Sequence, residues 1–298
     1  MSQKPEPCPT PLAWQEVVKS FHEQAMSRIV ETPAAEVTVH ELGSGKPLVF
    51  LPAFSGNALL FSLTCWLLRD DCRSVVIEHP AWKKTPSHRD LIPRTAEAIS
   101  MALEHSCPDG ADIYAATWGG QVALQLMLDH PQLVHRAILQ SSWAHRKLTT
   151  SESILLGCGS WLPVKARRLP MWLPTQLQNH RNWFPPFDET RFGFLLGETG
   201  VTPASALARR LLASSRTDLT PQLHKVSTPI TLLRCEGDGT PITVAQDILE
   251  DRLPNVKSES MSSTGHFPYL THPHRLVKVL RATFDIPRTE IVASTASH

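Results

Sequence analysis

ADIYAATWGGQVAL, residues 111–124, joins a short apolar run to a longer helical one through Ala115-Ala116-Thr117-Trp118-Gly119-Gly120. The first six residues read as a buried strand, and the residues from Gly119 to the His130-Pro131 pair read as a helix. Nothing between them is long enough to be a loop. The chain must therefore reverse within a few residues, and small side chains at Ala115, Gly119 and Gly120 leave room for that turn. A strand, a tight turn carrying a hydroxyl and an immediate helix make the setting of a nucleophile elbow. There the Thr117 hydroxyl would stand above a sheet, and the Trp118 backbone N–H would point to where an oxyanion forms at the helix N-terminus.

Outward from this turn the same alternation repeats. EVTVHEL (36–42) alternates like a half-exposed strand, and PLVFLP (47–52) is a short apolar run of the kind a buried parallel strand shows. SGNALLFSLTCWLL is helical in period, RSVVIEHP is a second buried strand and TAEAISMALEH a helix. Beyond the elbow come the strand HRAILQSS, then ITLLRCEG, the helix VAQDILEDRL, the strand SESMSS and the closing helix PHRLVKVLRATF. Strands alternating with helices predict a mostly parallel sheet covered by helices on both faces. Residues 36–144 and 228–286 are expected to form this core. A polar tail and an amphipathic helix from Trp14 to Ile29 are expected to precede it within 1–35, and residues 287–298 to trail off as a loose tail. Residues 145–227 contain no clear strand and hold Trp161, Trp172 and Trp183, with prolines clustered between about 162 and 203. Such an insert at the carboxyl edge of a sheet predicts a helical lid over the ligand crevice.

The 298 residues carry 29 Lys and Arg against 28 Asp and Glu, a balance that gives no broad field to draw nucleic acid or an anionic membrane. No uncharged apolar run reaches the ~18 residues that a transmembrane helix needs. The N-terminal MSQKPEPCPTP lacks the pattern of a secretory leader, so a cytoplasmic setting is expected. Six cysteines, at 8, 65, 72, 107, 158 and 235, show no CxxC spacing and read as mostly reduced and structural. No metal and no cofactor are expected. The expected partner is a small-molecule acyl substrate or ligand, with a protein partner as a further possibility.

Three more segments bear on chemistry. Ser263-Thr264-Gly265-His266-Phe267-Pro268 lies between the last strand and the last helix, which resembles the place in chain order of the triad histidine in α/β-hydrolases and makes His266 the candidate base toward the elbow hydroxyl. LPAFSG (51–56) closes the first buried strand, and the Phe54 N–H is the candidate second oxyanion donor. The α/β-hydrolase superfamily, which these segments resemble, implies a carboxylate three residues after a glycine just past the fifth buried strand, placed to orient the histidine. In Gly237-Asp238-Gly239-Thr240 that position holds Thr240, so Asp238 is the nearest substitute and Glu236 a further one. The glycines on either side of Asp238 would make it the easier to aim at His266.

On these motifs the chain resembles the α/β-hydrolase superfamily over nearly all of residues 36–284. Within it, LVFLPAFSG, VIEHPAW and GHFPYL look most like the maspardin branch, whose resemblance implies a binding or adaptor role without established catalysis. The elbow and the Thr264–Phe267 turn are also similar to acyltransferases that join 3-hydroxyacyl chains for rhamnolipid synthesis. Both families carry Ser where this chain has Thr117. The resemblance implies an α/β-hydrolase fold with a lid, and a histidine role for His266.

A β-branched residue in the positive-φ elbow bears a steric penalty of about 1–3 kcal/mol that Ser largely avoids. Thr117 is thus a slow choice of nucleophile, although threonine hydroxyls do serve when a base is close. The expected function is a hydrolase acting on an ester or thioester through Thr117, His266 and Asp238, with Phe54 and Trp118 as oxyanion donors. The alternative is a maspardin-like binding protein with a degenerate site.

Overall fold

Short apolar runs pair side by side because a strand buried on both faces satisfies its backbone only through its neighbours. In the computed structural model, which describes residues 13–185 and 188–288, nine strands join in one sheet. They are β1 (Met26–Glu31), β2 (Ala35–Leu42), β3 (Pro47–Leu51), β4 (Arg73–Ile77), β5 (Ala81–Trp82), β6 (Ala111–Ala116), β7 (Val134–Gln140), β8 (Ile230–Cys235) and β9 (Val256–Met261). Their order is β1-β2-β4-β3-β6-β7-β8-β9, with β5 beside β2. From β4 to β9 every pairing is parallel, whereas β1 and β2 form an antiparallel edge.

The helices are α1 (Trp14–Gln24), α2 (Ser62–Leu68), α3 (Leu91–Ser106), α4 (Trp118–Asp129), α5 (Thr150–Gly159), α6 (Trp172–His180), α7 (Glu189–Gly200), α8 (Ala204–Arg216), α9 (Thr240–Arg252), α10 (Pro268–Thr271) and α11 (Pro273–Phe284). The two-residue period of the strands sends alternate side chains to opposite faces. Val49 and Leu51 of β3 join one core with α3, α4 and α9, while Leu48 and Phe50 join the other with α1, α2 and α11. The sheet is thus covered on both sides, as its sequence pattern predicts.

Two local expectations are revised. The amphipathic helix expected to reach Ile29 ends at Gln24, and Met26–Glu31 instead forms β1 against β2. Arg28 of β1 bonds the buried Glu41 of β2, which Arg73 also holds at 2.8 Å. The two strands form a hairpin with Glu31 opposite Glu36, and this pairing, rather than the segment's own periodicity, makes Met26–Glu31 a strand. The short strand β5 is likewise absent from the sequence reading. The tails at 1–12 and 289–298, with Cys8, lie outside the described residues. The other five cysteines are free, four of them buried and Cys158 exposed. Among the described residues, no helix is long and apolar enough to cross a membrane.

Between β7 and β8 the chain forms four helices, α5 to α8, linked by short 3-10 turns. A capping box at Thr149 and Glu152 starts α5. Within the insertion, Trp183 lies so close to Gly237 and Gly265 that a Cβ on either glycine would fall 2.5 Å from it.

The turn from β6 to α4 is made by a single residue, Thr117. Thr117 takes φ 51° and ψ −109°, and its N–H donates to the Gln140 carbonyl of β7 at 2.8 Å. Immediately behind it, Gly119 passes the end of β3, where an added Cβ would sit 2.7 Å from both the Leu51 and Pro52 carbonyl oxygens. Those oxygens are backbone and cannot swing away. Gly119→Ala is therefore expected to lower stability by about 1–3 kcal/mol in urea unfolding; an unchanged midpoint would contradict this close approach.

Candidate active site

The carboxyl ends of the parallel strands bring the sequence-predicted residues to one wall. Thr117 follows β6, Asp238 follows β8, and His266 sits in the turn between β9 and α10. A cavity of about 710 Å3 opens above them, with Thr117, His266 and Phe54 among its lining residues.

His266 and Asp238 are joined directly. The Nδ1 of His266 lies 2.9 Å from Asp238 Oδ1, while the other carboxylate oxygen accepts from Ser141 Oγ at 2.7 Å and from the Cys235 N–H at 3.3 Å. Nδ1–H facing the carboxylate leaves Nε2 as the basic nitrogen. Asp238 is almost fully buried, with 2% of its side chain exposed, so these donors replace its water. Burial beside Asp238 also pushes the Cys235 thiol up to about 12 and keeps it neutral. Thr240 begins α9, and Glu236 turns outward to accept from the Ser263 N–H. The glycines around Asp238 act differently from the sequence expectation. Neither has a positive φ, and Gly237 is small because the Trp183 ring lies against it.

Thr117 is fully buried, and its Oγ1 has no hydrogen-bond partner among the described residues. The Thr117–His266 bond is therefore not made in this state. Catalytic hydrogen bonds of unliganded sites often close only when substrate arrives. Neither the Trp118 nor the Phe54 backbone N–H is engaged by another described group. Two side chains that sequence reading missed hold those residues in place. His79 bonds the Ala53 carbonyl at 2.7 Å and meets the Trp118 ring edge-on at 4.6 Å; burial holds it well below the usual histidine range, so it is neutral. Arg210 of α8 donates to the Phe54 carbonyl and stands 5.7 Å from the Trp118 ring centre. Its burial lowers the guanidinium to about 10, which still leaves it charged at neutral pH.

The insertion reaches the site too. His180 of α6 lines the cavity and stacks on His266 with centroids 6.1 Å apart. Burial first, and the neighbouring His266 second, lower its value to about 4. Ser141 and His79 each sit where a buried strand ends, which is the signal that could have marked them. Arg210 and His180 sit in helices whose periodicity says nothing about the site. Among the described residues, no cluster of three or more His, Cys, Asp and Glu could hold a metal ion.

The model of the alpha/beta hydrolase family matches residues 48–279. The pimeloyl-[acyl-carrier protein] methyl ester esterase of Aeromonas hydrophila is 21% identical over 257 residues, covering 82% of this chain and 97% of that one. A protein of Serratia proteamaculans named as the carbamate hydrolase RutD is 27% identical over 192 residues, covering 62% of this chain and 69% of its own. Among solved structures, the esterase EaEST of Exiguobacterium antarcticum superposes with a TM-score of 0.73 at 15% identity, over 86% of this chain and 98% of that one. A thermophilic esterase of Thermogutta terrifontis gives 0.72 at 15% identity, over 88% and 98%.

The depressed His180 has a consequence for stability. An unfolded histidine takes up a proton near pH 6.5, whereas folded His180 resists until about pH 4, so its contribution is present above 6.5 and lost as pH falls toward 4. His180→Asn should therefore show a smaller drop in Tm between pH 7 and pH 4.5 than the wild type. His79, retained in both, adds the same background, and parallel curves would place His180 in contact with water.

Proposed function

We propose that this chain, which belongs to the alpha/beta hydrolase family, hydrolyses an ester or thioester of a small acyl substrate through Thr117, His266 and Asp238. The observation that carries the reading is the buried Asp238–His266 hydrogen bond at the wall of the cavity that Thr117 also lines. His266 Nε2 takes the proton of the Thr117 hydroxyl as Oγ1 bonds to the substrate carbonyl carbon. Asp238 stabilises the resulting imidazolium, and the Trp118 and Phe54 N–H groups hold the oxyanion. Collapse breaks the bond to the alcohol or thiol, which leaves with the proton from His266. Water, deprotonated by the same nitrogen, then releases the acid and restores Thr117.

The relatives' names support a hydrolase acting on an ester-like bond. The helical insertion serves as the lid, with Trp172, Leu207 and Leu211 offering apolar surface to an acyl chain. The five free cysteines support a reducing, cytoplasmic setting. A second reading, a maspardin-like binding protein, draws on the unpartnered Thr117 hydroxyl and on exposed apolar side chains of the insertion such as Trp161, Leu155 and Met171, which suit a protein partner.

Assay of p-nitrophenyl esters of several chain lengths separates the two. Thr117→Ala and His266→Ala are expected to lose about a thousandfold or more in kcat, and Asp238→Asn about a hundredfold or more. Thr117→Ser should gain about tenfold by removing the methyl that crowds attack. Wild-type turnover that survives Thr117→Ala, or its absence even in Thr117→Ser, would sink the hydrolase reading. Arg210→Met should lower kcat about tenfold or more with KM little changed, because it loosens the Phe54 peptide that carries one oxyanion donor.

A further inference from the structure

The cavity over Thr117 and His266 contains one strong cation with no answering anion. Arg146 lines it, and none of the other lining residues is an Asp or Glu. Its guanidinium makes no salt bridge and no hydrogen bond among the described residues. Glu152, whose charge does reach it, is fully exposed and occupied by the Thr149 N–H and hydroxyl at the start of α5.

The side chain is nevertheless held in place. The Arg146 backbone N–H donates to the Ser214 carbonyl and fixes the main chain, while the guanidinium carbon lies 5.6 Å from the Trp143 ring centre. Trp143 is itself buried and fixed by its Nε1–H to Gln121 Oε1 at 3.0 Å. Keeping an unpaired charge in a partly dry site is costly, and burial already lowers the Arg146 value. Five N–H donors in a fixed fork match a carboxylate or phosphate better than any neutral group. The rest of the lining is apolar or carries amides, hydroxyls and the His180 and His266 imidazoles, with no carboxylate among them, and would tolerate a short chain between anion and ester.

We infer that Arg146 is a specificity determinant and that the substrate is an anionic ester, bearing a carboxylate or phosphate that this guanidinium binds while the ester lies over Thr117. This rests on the hydrolase reading for the ester, but not for the anion.

The test pairs turnover with binding. Monomethyl glutarate carries its anion on the acyl side and butyryloxyacetate on the alcohol side; dimethyl glutarate and ethyl butyrate are the neutral counterparts. In the wild type, kcat/KM for at least one anionic ester should exceed its counterpart by about tenfold to a hundredfold, the range of a hydrogen bond to a charged group. The difference should lie mainly in KM. Arg146→Gln should bring the ratio close to one, and Arg146→Lys should keep part of it. Which anionic ester is favoured says on which side of the ester the anion sits. In parallel, calorimetry or tryptophan fluorescence should detect glutarate or inorganic phosphate binding to the wild type and to Arg146→Lys, weakened at least tenfold in Arg146→Gln. Binding lost in Arg146→Gln with no ester turned over would sustain the anion site and reject the hydrolase. Equal handling of anionic and neutral esters by the wild type, or anion binding unchanged in Arg146→Gln, would overturn the inference.

Discussion

The backbone at Thr117 is the constraint around which the rest is arranged. A φ of 51° on a β-branched residue is strained, and it persists only where the surroundings over-determine it. Here the Thr117 N–H is tied to β7, and α4 carries two glycines directly after its first residue, Trp118. The first passes the carbonyls that end β3, and the second leaves no room for a Cβ beside Ser142 Oγ. One consequence is that the elbow and the Ala53-Phe54 turn are rigidly registered.

The insertion is part of the site rather than an ornament above it. Trp183 rests on Gly237 and Gly265, the residues that precede Asp238 and His266, and His180 stacks on the His266 ring. Arg210 reaches from α8 to the Phe54 carbonyl. A movement of these helices would therefore be felt at Asp238, His266 and the Ala53-Phe54 turn together, because all three contacts are close-packed. The cavity between insertion and sheet is lined by apolar groups, amides, hydroxyls and two imidazoles but no carboxylate, so the charge of Arg146 has large influence there.

Beneath the wall lies a buried polar chain. Tyr114 donates to Gln140 Oε1, Gln140 bonds Ser141 Oγ, and Ser141 donates to Asp238. Each group is satisfied by the next, so the carboxylate is oriented without water. Ser141, like Thr117, has a positive φ, at 49°. The backbone is thus strained at the ends of adjacent strands, which is where a sheet can present side chains to a ligand.

Much of this was legible in the chain itself. Apolar runs of strand length alternating with helical periods specify a parallel sheet with two covered faces, and a strand that meets a helix through Thr117-Trp118-Gly119-Gly120 permits only a tight turn. The position of His266 after the last strand follows from the same order. What local pattern could not reveal depends on pairing and packing partners. Met26–Glu31 is a strand because β2 lies beside it, and Gly237 is a glycine because Trp183 needs its space. Asp238 stands with His266 because Ser141 and the Cys235 amide close around its other oxygen. Periodicity encodes which face a residue turns to the core, and so the sequence by itself determined the layers and the elbow. Distances between side chains from different strand ends are set by packing alone, and so only the tertiary structure decided which carboxylate meets the histidine and which cation is left facing the cavity.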